Sequence, residues 1–244
     1  MLVAHCSCMM TSILMLSYVY ALCCVDGGNI TIVKTHSNKP WSHDNKFFVT
    51  YNGTAMHMKR GRDAIVYEYA YYLLARQMQS REIVVHTKIV ALGSGIAVLF
   101  PWQDTIVGGW GVSKQCHNKC NVRAFKIMII DYLIGYIDRP ANCHTINKLL
   151  YAVDNDSGSA KLQILPSKEH YQYNIIDDAL KQNHRELFSC FNVTVTKVHR
   201  VYTPVPPNCF SQHQATLWKK IFDAADARLQ RLQQYVALVA RGTH

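Results

Sequence analysis

The sequence predicts an α+β fold, and three observations carry that expectation. Two alternating hairpins occupy the first half, an apolar segment follows at residues 124–137, and a long amphipathic helix closes the chain. The firmest hairpin runs from Phe47 to Tyr51, turns at Asn52-Gly53 and returns from Thr54 to Lys59. Asn-Gly adopts the positive φ angles that a two-residue turn demands. A short strand at Ile30 to Val33 precedes it. A second hairpin is expected from Ile83 to Leu92 and Ile96 to Phe100, closed by Gly93-Ser94-Gly95. No GxGxxG or Walker pattern surrounds that triplet, so it reads as a turn and not a phosphate loop.

Between the hairpins, Asp63 can cap a helix from about Ala64 to Gln79. On it Glu68 shares a face with Ile65, Tyr72 and Ala75 at helical spacings. A carboxylate on an apolar face needs a partner, because burying an unpaired charge is costly. Lys59, ending the preceding strand, is the expected one; a solvated Glu68 is the other reading that periodicity allows. Pro101-Trp102 through Gly108-Gly109 marks a hinge. Residues 124–137 are apolar almost all round, as in a buried helix, and their one acid, Asp131, reads as a satisfied structural carboxylate. Further helices are expected at Asp177 to Cys190 and Gln212 to Arg241, separated by Pro204-Val205-Pro206-Pro207. In the second, Leu217, Ile221, Ala225, Leu229, Leu232 and Val236 recur at helical intervals.

The 244 residues suffice for one large domain or two small lobes, and a 49% hydrophobic fraction supplies a core. A net charge of +10 favours an acidic or phosphate-bearing partner. The basic residues are scattered, with no zinc-finger spacing or RNA-binding aromatic signature, so nucleic acid is not the expected partner. Residues 1–25 hold no Lys, Arg, Asp or Glu. They read as a signal peptide or a signal anchor in a membrane, although a basic leader segment is missing and an ordinary buried element stays open. Cys6, Cys8, Cys23 and Cys24 fall in that stretch. Cys116, Cys120, Cys143, Cys190 and Cys209 remain, an odd set that leaves at least one unpaired in a monomer. Sequons at Asn29, Asn52 and Asn192 fit a secretory route. A fourth at Asn155 lies in the candidate site and is expected to stay unmodified.

Two aspartates end greasy runs: Asp138 after residues 125–137, and Asp154 after Leu149 to Val153. With Lys59 and Glu68 they have the order of a two-lobed kinase. Phosphoryl transfer needs a cation on the nucleotide phosphates, an acid holding that cation, a metal-binding carboxylate and an acid near the acceptor hydroxyl. The blocks FVTYNGTAMHMKRG (Phe48 to Gly61), EYAYYLLAR (Glu68 to Arg76), IDYLIGYIDR (Ile130 to Arg139) and VDNDSG (Val153 to Gly158) carry the pattern. A looser block surrounds Cys190. In their order and spacing the chain resembles the four-jointed family of atypical secretory-pathway protein kinases, and more distantly the Golgi casein-kinase-like enzymes.

The resemblance implies a small β-rich N-lobe at 26–105 and a larger helical C-lobe at 106–244. It implies that Lys59 contacts the phosphates of ATP, that Glu68 orients Lys59 or helps bind the metal complex, that Asp138 is catalytic and that Asp154 binds Mn or Mg. It further implies a Ser/Thr protein kinase of the Golgi lumen or extracellular space, acting on secreted or cell-surface proteins such as cadherin repeats. The chain departs from the family at Tyr136, where an Asn usually stands, and matches a later Asn only at Asn142, past the stiffening Pro140. It also lacks a glycine-rich nucleotide cover. Other readings remain: an inactive pseudokinase, or a secreted binding protein in which Asp138 pairs with Arg139 and Asp154 and Asp156 form a turn. Cys116, Cys120 and Cys143-His144 could instead hold zinc. A calcium loop at Asp154 fails, because Ser159 and Leu165 stand where an EF-hand requires Gly and a bidentate acid.

Overall fold

The computed structural model describes residues 24–26, 30–35, 46–93, 95–101, 122–136, 139, 142–158, 195 and 198–241. Six strands form one sheet: β1 (Val25–Asp26), β2 (Ile30–Thr35), β3 (Lys46–Tyr51), β4 (Thr54–Arg60), β5 (Lys88–Leu92) and β6 (Gly95–Pro101). Their order is β1-β5-β6-β4-β3-β2, antiparallel except where β1 runs parallel to β5. Helix α1 (Asp63–Gln77), helix α2 (Val122–Ile134), a small hairpin of β7 (Cys143–Ile146) and β8 (Leu149–Ala152), and helix α3 (Gln212–Ala240) complete it. A β-rich N-terminal part followed by a helical C-terminal part is the layout of a two-lobed, kinase-like α+β fold.

Asn52 at φ 50° and Gly53 at φ 75° make the tight turn between β3 and β4. That turn fixes the register, and Lys46 lies directly opposite Lys59. Alternation along the strands then sorts the core. Ile96 and Val98 face the large cluster around α1, whereas Ala97 and Leu99 join Met56, Met58 and Val49 in a smaller one. His57 stacks between Phe48 and Phe100, with ring centroids 5.1 and 5.3 Å away. Strand alternation puts this aromatic row on the same face as Lys59.

Helix α1 is buried nearly all round because β6, α2 and α3 all pack on it. Asp63 does not cap it. The N-cap is Arg62, without a side-chain cap bond, and Asp63 instead opens the first turn and pairs with His213 at 3.1 Å. Helix α3 begins with a reciprocal capping box: Gln214 N–H donates to Ser211 Oγ at 3.3 Å, and Ser211 N–H to Gln214 Oε1 at 3.0 Å. Its stripe of Ile221, Ala225, Leu229, Leu232 and Val236 is buried as expected. The second hairpin starts later than its apolar run suggests. Arg81–Ile83 form a 3-10 turn, and the strand proper begins at Lys88.

Helix α2 ends at Ile134, three residues short of the expected 137. Gly135 at φ 71° closes it, with Gly135 N–H donating to Tyr132 O at 3.2 Å and Tyr136 N–H to Asp131 O at 2.8 Å. This Schellman arrangement needs the left-handed conformation, which costs a residue bearing a Cβ about 1–2 kcal/mol. Gly135→Ala should therefore lower unfolding free energy by about 1 kcal/mol in urea titration. No change would mean that this end of the helix frays freely.

Cys24 is bonded to Cys209 with Cα atoms 6.0 Å apart, and Val25 pairs with Val90. The folded unit thus takes in the last residues of the 1–25 stretch, and Cys24 joins the structural cysteines. Cys143 is also disulfide-bonded, which removes it as a zinc ligand. Among the described residues no helix is long and apolar enough to cross a membrane. The rest of the 1–25 stretch, the hinge at 102–109, the helix expected at Asp177 to Cys190 and the cysteines Cys116 and Cys120 lie outside the described residues.

Candidate functional site

Lys59 sits at the end of β4, one strand residue short of the turn into α1, and is 3% exposed. Glu68, on the face of α1 toward that strand, is 5% exposed, and its Oε2 lies 3.5 Å from Lys59 Nζ. The expected partnership is present. Lys59 Nζ also contacts Asp154 Oδ1 and Asp156 Oδ2 in the loop after β8. On its other side Asp154 accepts a bond from Lys46, with Nζ 2.8 Å from Oδ2. Each oxygen of Asp154 therefore carries one ammonium group.

Asn155 joins this cluster to the interior. Its backbone N–H donates to Glu68 Oε2 at 2.9 Å, and its Nδ2 to Oε1 at 3.1 Å. Its Oδ1 accepts from Arg139 Nη2 at 2.8 Å. Arg139 in turn grips Asp131 with two bonds, from Nε at 2.8 Å and Nη2 at 2.7 Å. Nη1 donates to the carbonyls of Asn142 at 2.7 Å and Val153 at 3.1 Å. Tyr71 O–H donates to Asp131 Oδ1 at 2.9 Å. A guanidinium has five N–H donors, and all five are thus used. The pairing that the binding-protein reading gave Arg139 with Asp138 involves a residue outside the described ones. Asp131 is the satisfied structural acid its sequence setting suggested.

Tyr136, standing where the four-jointed family usually has Asn, has a structural task here. Its O–H donates to Asp154 O at 2.6 Å and accepts from Asn142 Nδ2 at 2.8 Å. Asp154 sits at φ 54°, a left-handed conformation that Asp tolerates better than most residues. The tyrosine clamps that backbone. Asn142 serves the clamp, and with Asn155 4% exposed the fourth sequon is closed to modification. Asp138 lies outside the described residues. Of the four expected site residues, Lys59, Glu68 and Asp154 converge.

Electrostatics follow from burial and count. Burial works against the Lys59 ammonium, but Glu68, Asp154 and Asp156 outweigh it and hold its pKa above the usual range. Burial likewise opposes the Asp154 carboxylate, yet Lys59 and Lys46 hold it below the ordinary value. Glu68 is raised, chiefly by burial and further by Asp154 and Asp156, against the pull of Lys59. Among the described residues two ammonium groups face three carboxylates in this cluster, one negative charge in excess.

That excess bears on a divalent ion. Among the described residues no three His, Cys, Asp or Glu side chains are grouped as a ready metal cage. The donors are nonetheless of the right kind: the carboxylate oxygens of Asp154 and Asp156 are hard ligands of the sort that Mg or Mn takes, together with phosphate oxygens. The surplus negative charge favours such an ion. Two cavities of about 390 Å³ each lie elsewhere, one lined by Arg60, Arg62, Phe210 and Gln214, the other by Tyr72, Glu82, His86 and Tyr151.

Lys59 on a strand, Glu68 on a helix and Asp154 in the loop after the β7–β8 hairpin thus meet in one cluster. No protein-family model matches the chain, and no curated protein does. Among solved structures it is similar to the Helicobacter pylori proinflammatory kinase CtkA, with 14% identity, 85% of this chain and 98% of that chain covered, and a TM-score of 0.49. A likeness this slight fixes neither family nor activity. The four-jointed resemblance rests on the motifs quoted above.

Proposed function

We propose that the chain is an ATP-dependent protein kinase of the secretory pathway, transferring phosphate to Ser or Thr hydroxyls of secreted or cell-surface proteins. The observation that carries this reading is the triple engagement of buried Lys59 by Glu68, Asp154 and Asp156. Such a lysine stays charged and aimed, which is what phosphate positioning requires. In this reading Lys59 holds the nucleotide phosphates, and Glu68, braced by Asn155, keeps the ammonium in place. Asp154 and Asp156 would hold Mn or Mg, whose chemistry is to neutralise charge on the phosphates. Asp138 would accept the proton of the acceptor hydroxyl. Its neighbour Arg139, anchored by five hydrogen bonds, gives that stretch a fixed point. The disulfides at Cys24–Cys209 and Cys143 support an oxidising compartment.

One observation favours a second reading, a nucleotide-binding chain without transfer: both oxygens of Asp154 are held by lysines. Thermal melting with and without ATP and Mn, followed by radiolabelled transfer to itself or to casein, separates the two. Stabilisation with transfer supports the kinase, and stabilisation alone supports the inactive form. Lys59→Met should abolish the nucleotide-dependent shift while leaving the protein folded by circular dichroism. An undiminished shift in that variant rules out the role given to Lys59.

A further inference from the structure

We infer that the cavity between the end of β4, the β5–β6 turn and the start of α3 is a binding site for a phosphomonoester, with Arg60 and Arg62 holding the phosphate. The inference does not rest on the kinase reading. Arg60 follows Lys59 in sequence, but strand alternation turns it to the opposite face of the sheet. Lys59 lies across from Val98 and Arg60 across from Ala97, and those two residues belong to different core clusters. The guanidinium carbon of Arg60 lies 5.1 Å from the centre of the Phe47 ring, and its Nε–H is buried without a hydrogen-bond partner. A buried unpaired donor is costly, the more so on a charged group. Arg62 lines the same cavity and is exposed. Among the described residues neither guanidinium is paired with a carboxylate. Asp63, the next acid along the chain, is engaged by His213 and does not line the cavity. Two like charges at one cavity repel, and an anion between them turns that repulsion into attraction.

The walls are fixed by covalent and polar ties. Cys209 is crosslinked to Cys24. Gln214, 9% exposed, donates from Nε2 to Arg62 O at 3.3 Å, while its Oε1 accepts Ser211 N–H at 3.0 Å. Ser211 Oγ accepts the Gln214 N–H, which leaves its own hydroxyl proton as a further donor toward an anion. Phosphate suits this set, because a guanidinium offers it two parallel N–H bonds and a dianion answers two cations. Leu92, Ile96 and Phe210 make much of the remaining wall apolar, and the volume of about 390 Å³ exceeds what a bare phosphate ion fills. The fit is therefore to a phosphate ester whose small organic body covers those side chains.

The test is calorimetric titration of the full chain with phenyl phosphate, inorganic phosphate and a short phosphotyrosine peptide, with folding checked by circular dichroism. Phenyl phosphate should bind with a Kd below about 1 mM, and more tightly than inorganic phosphate. Arg60→Met should weaken it at least about tenfold. Arg60→Lys, which keeps the charge without the fork, should recover only part of the loss. Arg62→Met, at an exposed position, should weaken binding several-fold and keeps the test decisive should Arg60→Met not fold. Lys59→Met should bind as wild type does, whereas a probe seated at the Lys59 cluster would be lost in that variant. Tighter binding of the peptide than of phenyl phosphate assigns the ester to a phosphorylated side chain, and binding no tighter assigns it to a free small molecule. No binding of any probe, equal affinity for phenyl and inorganic phosphate, unchanged affinity in the arginine variants that fold, or loss in Lys59→Met overturns the inference.

Discussion

Arg139→Leu should lower unfolding free energy by about 3–5 kcal/mol, the cost of stranding a buried charge when its partner is removed. Asp131 is fully buried, and two of its bonds come from the guanidinium. The leucine would also remove a bond each from the carbonyl of Val153 and the amide oxygen of Asn155, and leave Asn142 O with the bond from Val153 N–H. Tyr71 alone would then solvate Asp131. Lysine is no substitute, because a single ammonium cannot reach both ends of this fork. The rings of Tyr136 and Tyr71, 4.1 and 5.2 Å from the guanidinium carbon, favour a flat delocalised cation. Urea titration reads the loss directly, and a change below about 1 kcal/mol would mean that Asp131 finds other donors. The effect should reach Lys59 as well, since Asn155 links Arg139 to Glu68.

Asp154→Asn should abolish phosphoryl transfer, with a fall of at least about 10²- to 10³-fold, the scale for removing one preorganised charge at a reacting centre. The substitution is chosen because asparagine tolerates the left-handed conformation at φ 54° as well as aspartate does. The Tyr136 clamp is on the backbone carbonyl and is retained. What changes is charge: the carboxylate between Lys46 and Lys59 becomes a neutral amide, and Lys59 keeps Glu68 and Asp156. Radiolabelled transfer and a melting curve together check this. Activity within tenfold of wild type would remove Asp154 from the chemistry.

Much of this site was legible in the sequence, and the illegible part has physical reasons. Lys59 and Glu68 could be paired because a strand end and the next helix are close neighbours, and a buried acid demands a cation. The fully apolar surroundings of Asp131 told of a satisfied acid, though not of its partner. Arg139 lies eight residues on, beyond a helix end, where helical periodicity no longer says which side chains meet. Lys46 was within reach: once Asn52-Gly53 is read as a two-residue turn, counting back from it puts position 46 opposite position 59. Strand β7 stayed hidden because its turn uses Asn147 and Lys148 at φ 52° and 65°, with no glycine to announce it. Asp63 seemed a cap because aspartate often is; the helix starts one residue earlier than that role allows. The capping box Ser211 to Gln214 stood in the sequence and went unread.

The bond between Cys24 and Cys209 closes a loop of 185 residues. A ribosome delivers the first of these thiols long before the second, so the earliest strand cannot be locked while synthesis proceeds. Cys24 must wait, reduced or transiently mispaired, until the start of α3 has emerged. Closure of this crosslink is therefore a late event, and the rate at which it forms sets when the N-terminal edge of the sheet becomes permanent.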